Sequence, residues 1–318
     1  MLKLLTTPTS IYYFCVVDLE SPISCPLCDS KDTTLFMDST DYAVSGESYS
    51  LVRCNNCGLI ATLNPPTEIN DKYSKLNLEL YRADKPGRFF DRVYYYMLYI
   101  TVRRKIQLVE SKTGMRRGKL LNYGAKSGFF SSRMSDRGWT VTSLEQHYEK
   151  RMFSLEMFHH RMMDLTELDS IPKNSYDAIT LWHTLEHQFF PGSLMDKLCS
   201  VLKPNGLIFV AVPNTDSFDA TFYGNNWAAW DVPRHLWHFN PGSMMMFGKT
   251  HGLVLMYHRR MPFDVFFISV LSERFRKSRW PTMKGLARGF LFWLKTNTRR
   301  DRGSSIVYVF RKKTEYEA

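Results

Sequence analysis

Four apolar, β-branched-rich runs constrain this chain most: KLLNYG (119–124), TVTSLE (140–145), YDAITLWH (176–183) and GLIFVAVPN (206–214), each separated from the next by a helix-length interval. Strands that alternate with helices pair in parallel, because a parallel crossover needs about a dozen residues and a helix is the usual way to fill them. The pattern predicts a doubly wound α/β sheet, whose ligands lie at the carboxyl ends of the strands. Two more strand-like runs, GLVLMYHRR (252–260) and SSIVYVFRKK (304–313), flank a basic, aromatic segment. With 318 residues, 44% of them apolar, the chain can bury the core such a sheet requires. No apolar stretch approaches the roughly 20 residues that a bilayer-spanning helix needs. The first residues lack a small-residue cleavage pattern, so a cytoplasmic protein is expected.

Six cysteines occur, and four of them form two C-x-x-C pairs: Cys25 and Cys28 in CPLC, Cys54 and Cys57 in CNNC, with 25 residues between the pairs. Two thiolates three positions apart on a tight turn can face one ion, and two such knuckles complete a tetrahedral zinc site. The expectation is a structural zinc ribbon, with an iron site, a redox pair or loss of the metal in this chain as the alternatives. With four sulfurs bound, no coordination position stays open for chemistry. Cys15 and Cys199 stand among apolar neighbours and read as small buried hydrophobes. The chain then divides into an N-terminal segment (1–20), the ribbon (21–64), two linking helices (65–117) and the α/β block (118–318), with a basic helical insertion at about 268–303.

The glycine turn, the acidic residue ending the next strand, and YDAITLWHTLEH together resemble the class I S-adenosylmethionine-dependent methyltransferases, in a bacterial form with an N-terminal zinc-ribbon-like domain. The resemblance runs from about Lys119 to Arg260 and implies a Rossmann-like sheet. It assigns the cofactor to the turn residues Gly124, Ala125, Lys126 and Gly128. It also implies that Glu145 meets the ribose hydroxyls and that Asp164 and Leu165 meet the adenine. Two positions depart from the family pattern. Asn122 replaces an acid, and Lys126 replaces a glycine that lets backbone approach the ligand; its ammonium could instead meet the cofactor's carboxylate. Asp164 reads equally well as a helix cap.

LWHTLEHQFFPG matches the family's segment after the fourth strand. Related ubiquinone-pathway O-methyltransferases hold a divalent cation there with an acid, a glutamate and a histidine. Here His183 takes the first place, followed by Glu186 and His187, so either a cation site or a buttress for the pocket is implied. PRHLWHF resembles a motif of bacterial zinc-ribbon methyltransferases. It lies in the long aromatic loop that follows GLIFVAVPN, of the kind that closes over substrates. His183, His187, His235 and His238 are the candidate catalytic groups, since imidazole can take a proton near neutral pH. Absence of an N/D-P-P-Y/F signature favours an oxygen or carbon acceptor over a base amino group.

The net charge of +11 is concentrated: residues 259–318 contain 15 Lys/Arg against 5 Asp/Glu. RFRKSRWPTMKGLARGFLFWLKTNTRR suits an anionic membrane surface, a phosphorylated substrate or RNA, or else a helical insertion packing its apolar face on the core. Two function classes follow. One is a methyltransferase acting on a small-molecule, sugar or lipid-linked glycan acceptor; the other is an RNA-binding protein or RNA methyltransferase. A noncatalytic descendant of the fold is the third reading. The cysteine block argues against RNA, because its acids outnumber Lys31 and Arg53.

Overall fold

A computed structural model describes residues 25–66 and 89–313. The 1–20 segment, Cys15 and the first of the two linking helices lie outside the described residues. The cysteine block folds as three antiparallel strands, β1 (Thr33–Thr40), β2 (Ser48–Cys54) and β3 (Ile60–Thr62). One long helix, α1 (Phe89–Thr113), leads into the α/β block.

That block runs β4 (Lys119–Tyr123), α2 (Phe129–Asp136), β5 (Thr140–Leu144), α3 (Tyr148–Phe158), β6 (Tyr176–Trp182), α4 (Pro191–Val201) and β7 (Leu202–Pro213). It continues through α5 (Phe218–Tyr223), β8 (Trp237–His238), α6 (Pro241–Thr250), β9 (Leu253–Arg260), α7 (Asp264–Phe275), α8 (Pro281–Lys295) and β10 (Ser305–Lys312). The six-stranded sheet has the order β5-β4-β6-β7-β10-β9, with β4 to β7 parallel and β10 antiparallel to both neighbours. The mixed α/β expectation is met, including a helical pair inserted before the last strand. β7 starts at Leu202, earlier than the apolar run suggested, because the turn-like KPN remains extended.

Both sheet faces are covered. One face buries Leu121, Ile179, Val210 and Tyr308 with α4 and α6, while the other buries Leu120, Ala178, Phe209 and Val309 with α1 and α2. Alternation along each strand sends neighbouring residues to opposite faces, which is why all of these runs read as nearly continuous apolar sequence.

The cysteine block does not stand apart. β3 pairs with β8, Ile60 opposite His238 and Ala61 opposite Trp237, so the loop after β7 supplies the fourth strand of the ribbon's sheet. That loop differs from the expected substrate cover. Trp227, Trp230, Val232 and Leu236 are buried, and the first three form a third core with Leu51 and Ile60 of the ribbon and Val265, Ile268 and Phe292 of the insertion. Burying an aromatic side chain contributes about 1.5–3 kcal/mol, so a segment anchored by two tryptophans stays packed.

Candidate functional site

The turn after β4 answers a question that the sequence raises about Lys126. Its φ is 55°, in the left-handed region, so the position keeps the conformation that glycine favours and the lysine carries a strain of about 1–2 kcal/mol. Its backbone N–H donates to Glu145 Oε2 at 2.7 Å. The residue as a whole is exposed, but its ammonium lies among protein groups: desolvation holds it below the usual range, with Glu186 and Glu145 pulling the other way. Gly124 (φ 70°) and Gly128 (φ 79°) are needed for packing: a Cβ at Gly124 would meet Thr184 at 2.3 Å, and one at Gly128 would meet Ser154 Oγ at 2.1 Å. Ala125 is buried beside them, its N–H bonded to Leu144 O at 3.0 Å. Gly128 gives α2 no side-chain cap, so the helix start presents N–H donors with no side chain to satisfy them.

Glu145 follows β5 and is buried; besides Lys126 it receives His147 N–H at 3.3 Å and faces Lys150 Nζ at 3.6 Å. Asp164 caps the short turn that begins at Leu165: it accepts from Thr166 N–H at 3.1 Å and from Arg151 at 2.6 Å, and Glu167 completes a capping box. The backbone N–H of Thr166, joined by the Thr166 hydroxyl and Arg151, holds its carboxyl below the usual range against desolvation, which pulls the other way. Asn122 is buried within β4 in a polar ladder. Thr180 Oγ donates to its carbonyl at 3.0 Å, it donates to Ser131 Oγ at 2.8 Å, and Ser143 and His160 extend the chain. An amide fits because every member is neutral and paired.

The residues after β6 converge more closely. Glu186 is fully buried with neither carboxylate oxygen hydrogen-bonded; its nearest charged contact is His183 Nδ1 at 3.5 Å, too long for a good hydrogen bond. Burial would raise its pKa, yet His183, His187 and His235 together bring it down to about 2. His187 Nδ1 meets Arg234 O and His235 Nδ1 meets Ala229 O, both at 2.9 Å, and the rings pack edge to face at 4.7 Å. A carbonyl can only accept, so each Nδ1 carries a proton, and His235 Nε2 lies 3.5 Å from Asp231 Oδ2. One ligand atom each from Glu186, His187 and His235 lie within 4.8 Å of one another. Desolvation and the neighbouring His235 hold His187 well below its ordinary pKa, hence neutral.

His183, at φ 52°, lies between two acids, with Nε2 3.1 Å from Asp264. Desolvation opposes its charge, but Asp264 and Glu186 outweigh it and raise its pKa. His238 is turned away and bonds Thr62 Oγ at 2.9 Å. Asp264, at the start of α7, carried no motif to announce it. It lines a small cavity with Arg104, Lys105, Trp182, Arg259 and Arg260. Lys105 Nζ lies 4.6 Å from the Trp182 ring centre, its pKa lowered to about 8 by burial.

Among the cysteines, Cys25 and Cys57 sulfurs are 3.5 Å apart and Cys28 and Cys54 sulfurs 3.6 Å. That is too far for a disulfide and near the roughly 3.8 Å edge of a tetrahedron with 2.3 Å metal–sulfur bonds. All four sulfurs lie within 4.8 Å of one another. Burial pushes the Cys25 thiol up to about 11, so a thiolate there calls for a compensating cation. Cys199 is half-buried and also raised to about 11 by burial, consistent with an inert side chain.

A parallel sheet with a left-handed glycine turn, a buried acid ending the next strand and a histidine–carboxylate cluster after the third parallel strand defines a cofactor-dependent transferase of the doubly wound class. The family described as "Methyltransferase domain" matches residues 98–257. The chain belongs to that family and is an S-adenosylmethionine-dependent methyltransferase. It is 24% identical over 165 residues to the ubiquinone biosynthesis O-methyltransferase of Aeromonas salmonicida, covering 48% of this chain and 69% of that protein. To the enzyme of the same name from Xanthomonas euvesicatoria it is 23% identical over 198 residues, covering 58% and 80%. Among solved structures, the Burkholderia thailandensis 1,6-didemethyltoxoflavin-N1-methyltransferase aligns at a TM-score of 0.47 and 12% identity, covering 87% of this chain and all of that one.

Proposed function

We propose that this protein transfers a methyl group from S-adenosylmethionine to an oxygen of a small-molecule, sugar or lipid-linked acceptor, with Glu186, His187 and His235 gathered at the acceptor hydroxyl. The observation that carries this is the buried Glu186 carboxylate with both oxygens unbonded, facing two imidazoles whose Nδ1 protons are taken by backbone carbonyls. Such a donor set suits a divalent cation, since metal-binding histidines are oriented by a carbonyl at the other nitrogen. When bound, a divalent cation makes a coordinated hydroxyl easier to deprotonate. Without one, His187 would have to take the proton itself, and its low pKa makes it a weak base. The chemistry therefore favours the cation reading. The chain's similarity to the ubiquinone biosynthesis O-methyltransferases of Aeromonas and Xanthomonas supports oxygen over carbon.

For the cofactor, Glu145 is suited to accept from ribose hydroxyls, and the uncapped start of α2 with the Lys126 ammonium suits the carboxylate of the methionine portion. When bound, the cofactor supplies the methyl group. Leu165, half-buried beside Asp164, suits the adenine plane. His183, whose charged form Asp264 favours, positions Glu186, while His238 holds the loop to the ribbon. We assign a structural zinc to Cys25, Cys28, Cys54 and Cys57. An RNA substrate is less well supported, because the basic residues of the insertion border an apolar face.

Glu186→Gln tests the proposal. Calorimetry should find cofactor binding retained, while methyl transfer to a hydroxylated acceptor falls by about a hundredfold or more and no longer responds to added divalent cation. Glu145→Ala should weaken cofactor binding. Failure of the wild-type chain to bind millimolar S-adenosylmethionine would favour the noncatalytic reading.

A further inference from the structure

The helical hairpin of α7 and α8 is packed the opposite way round from a water-facing one. The face of α8 turned toward α7 carries Gly285 and Gly289, with Arg288 reaching across to Glu273. A Cβ at Gly285 would come within 2.5 Å of Val270 Cα, and one at Gly289 within 3.1 Å of Phe266 Cα. Phe292 is the large apolar residue of α8 that is buried. The bulky remainder points outward: Met283 (65% exposed), Leu286, Phe290, Leu291 and Leu294, preceded by Trp280. Residues 283, 286, 290 and 294 follow one stripe of the helix. Small residues between helices and large apolar residues outside is the arrangement of helices that face lipid. In water, a contiguous apolar patch of this kind marks an interaction surface.

The rim of the patch selects its occupant. Arg274, Arg276, Lys277 and Arg279 before the helix, Lys284 on it, and Lys295, Arg299 and Arg300 at its far end are all exposed. Arg288 differs, being tied to the buried Glu273. A second copy of this chain would bring the same cationic rim against itself, and a nucleic acid would leave the apolar stripe uncovered. An anionic bilayer satisfies both parts, with acyl chains under the stripe and headgroup phosphates at the rim. Among the described residues no helix is long and apolar enough to cross a membrane, and the 15 residues of α8 reach only about 22 Å. The helix therefore lies along the surface.

We propose that α8 and its flanking basic residues dock this protein on the surface of an anionic lipid bilayer. This is independent of which acceptor is methylated.

Cosedimentation of the full chain with vesicles of phosphatidylcholine alone, and of equal parts phosphatidylcholine and phosphatidylglycerol, tests it. The protein should pellet with the anionic vesicles only, less so as salt rises. Phe290→Glu with Leu291→Glu should lower partitioning by about tenfold or more, and Lys284→Glu by about fivefold, with cofactor binding unchanged in both. Lys284→Glu keeps the test decisive if the double variant fails to fold. The proposal is overturned by no binding to anionic vesicles or by binding that both variants leave intact. It also fails if the chain ignores vesicles and instead forms a dimer, or a salt-sensitive complex with single-stranded RNA.

Discussion

Thr62 Oγ1 lies 2.9 Å from His238 Nε2, and the same hydroxyl donates to the backbone oxygen of His235 at 2.7 Å. Its one proton is used on the carbonyl, so it accepts from the imidazole, which fixes His238 as the Nε2–H tautomer. This buried contact joins the last strand of the cysteine block to the loop that supplies His235. The ribbon thereby acts as a splint for the histidine cluster.

Thr62→Val should break that splint. It leaves a buried N–H and a buried carbonyl without this partner, at a cost of about 1–3 kcal/mol. Thermal unfolding should therefore start lower, and methyl transfer should fall with little change in cofactor affinity, while Thr62→Ser restores both. A variant that melts and turns over like the wild type would count against the role.

The cysteine cluster makes a second expectation measurable. Elemental analysis should find zinc equimolar with protein, and Cys54→Ser or a strong chelator should remove it. Because β3 pairs with β8, loss of the ion should loosen residues 235–238 as well as the ribbon, seen as faster amide exchange across both. Unchanged exchange at 235–238 after zinc removal would separate the two units.

Much of this was legible in the sequence because the relevant physics is local. Strand–helix alternation, C-x-x-C spacing and a glycine turn act within a few residues, so β4 to β7 and the four sulfurs fall where their patterns put them. His183 and Glu186 also meet at i,i+3 spacing. What could not be read were contacts set by tertiary packing. Asp264, 81 positions beyond His183, completes its charge pair. β8 has two residues and no strand-like pattern; it exists because β3 offers it an edge. The aromatic loop resembled a lid, since sequence does not reveal whether a tryptophan faces solvent or a neighbouring domain. Lys126 obscured a glycine-like position because backbone conformation, not side-chain identity, is retained there.

The polar ladder across the sheet gives the last expectation. His160 Nε2 lies 2.8 Å from Ser143 Oγ, and burial holds its pKa below the ordinary histidine value of about 6.5. Above pH 6.5 the ring is neutral in both folded and unfolded chains and contributes no pH dependence. As pH falls below that value the unfolded chain takes up a proton that the folded one refuses, so stability declines until the depressed folded pKa is reached. The limiting slope is about 1.4 kcal/mol per pH unit for one such group. His187 and His238 are lowered by burial too and act in the same window. His160→Gln keeps a donor for Ser143 and removes one of these contributions. Denaturant titrations at stepped pH below 6.5 should therefore give a shallower loss of stability in the variant, converging with the wild type above pH 7. Equal slopes would mean that His160 charges freely in the folded protein and that the ladder does not hold it neutral.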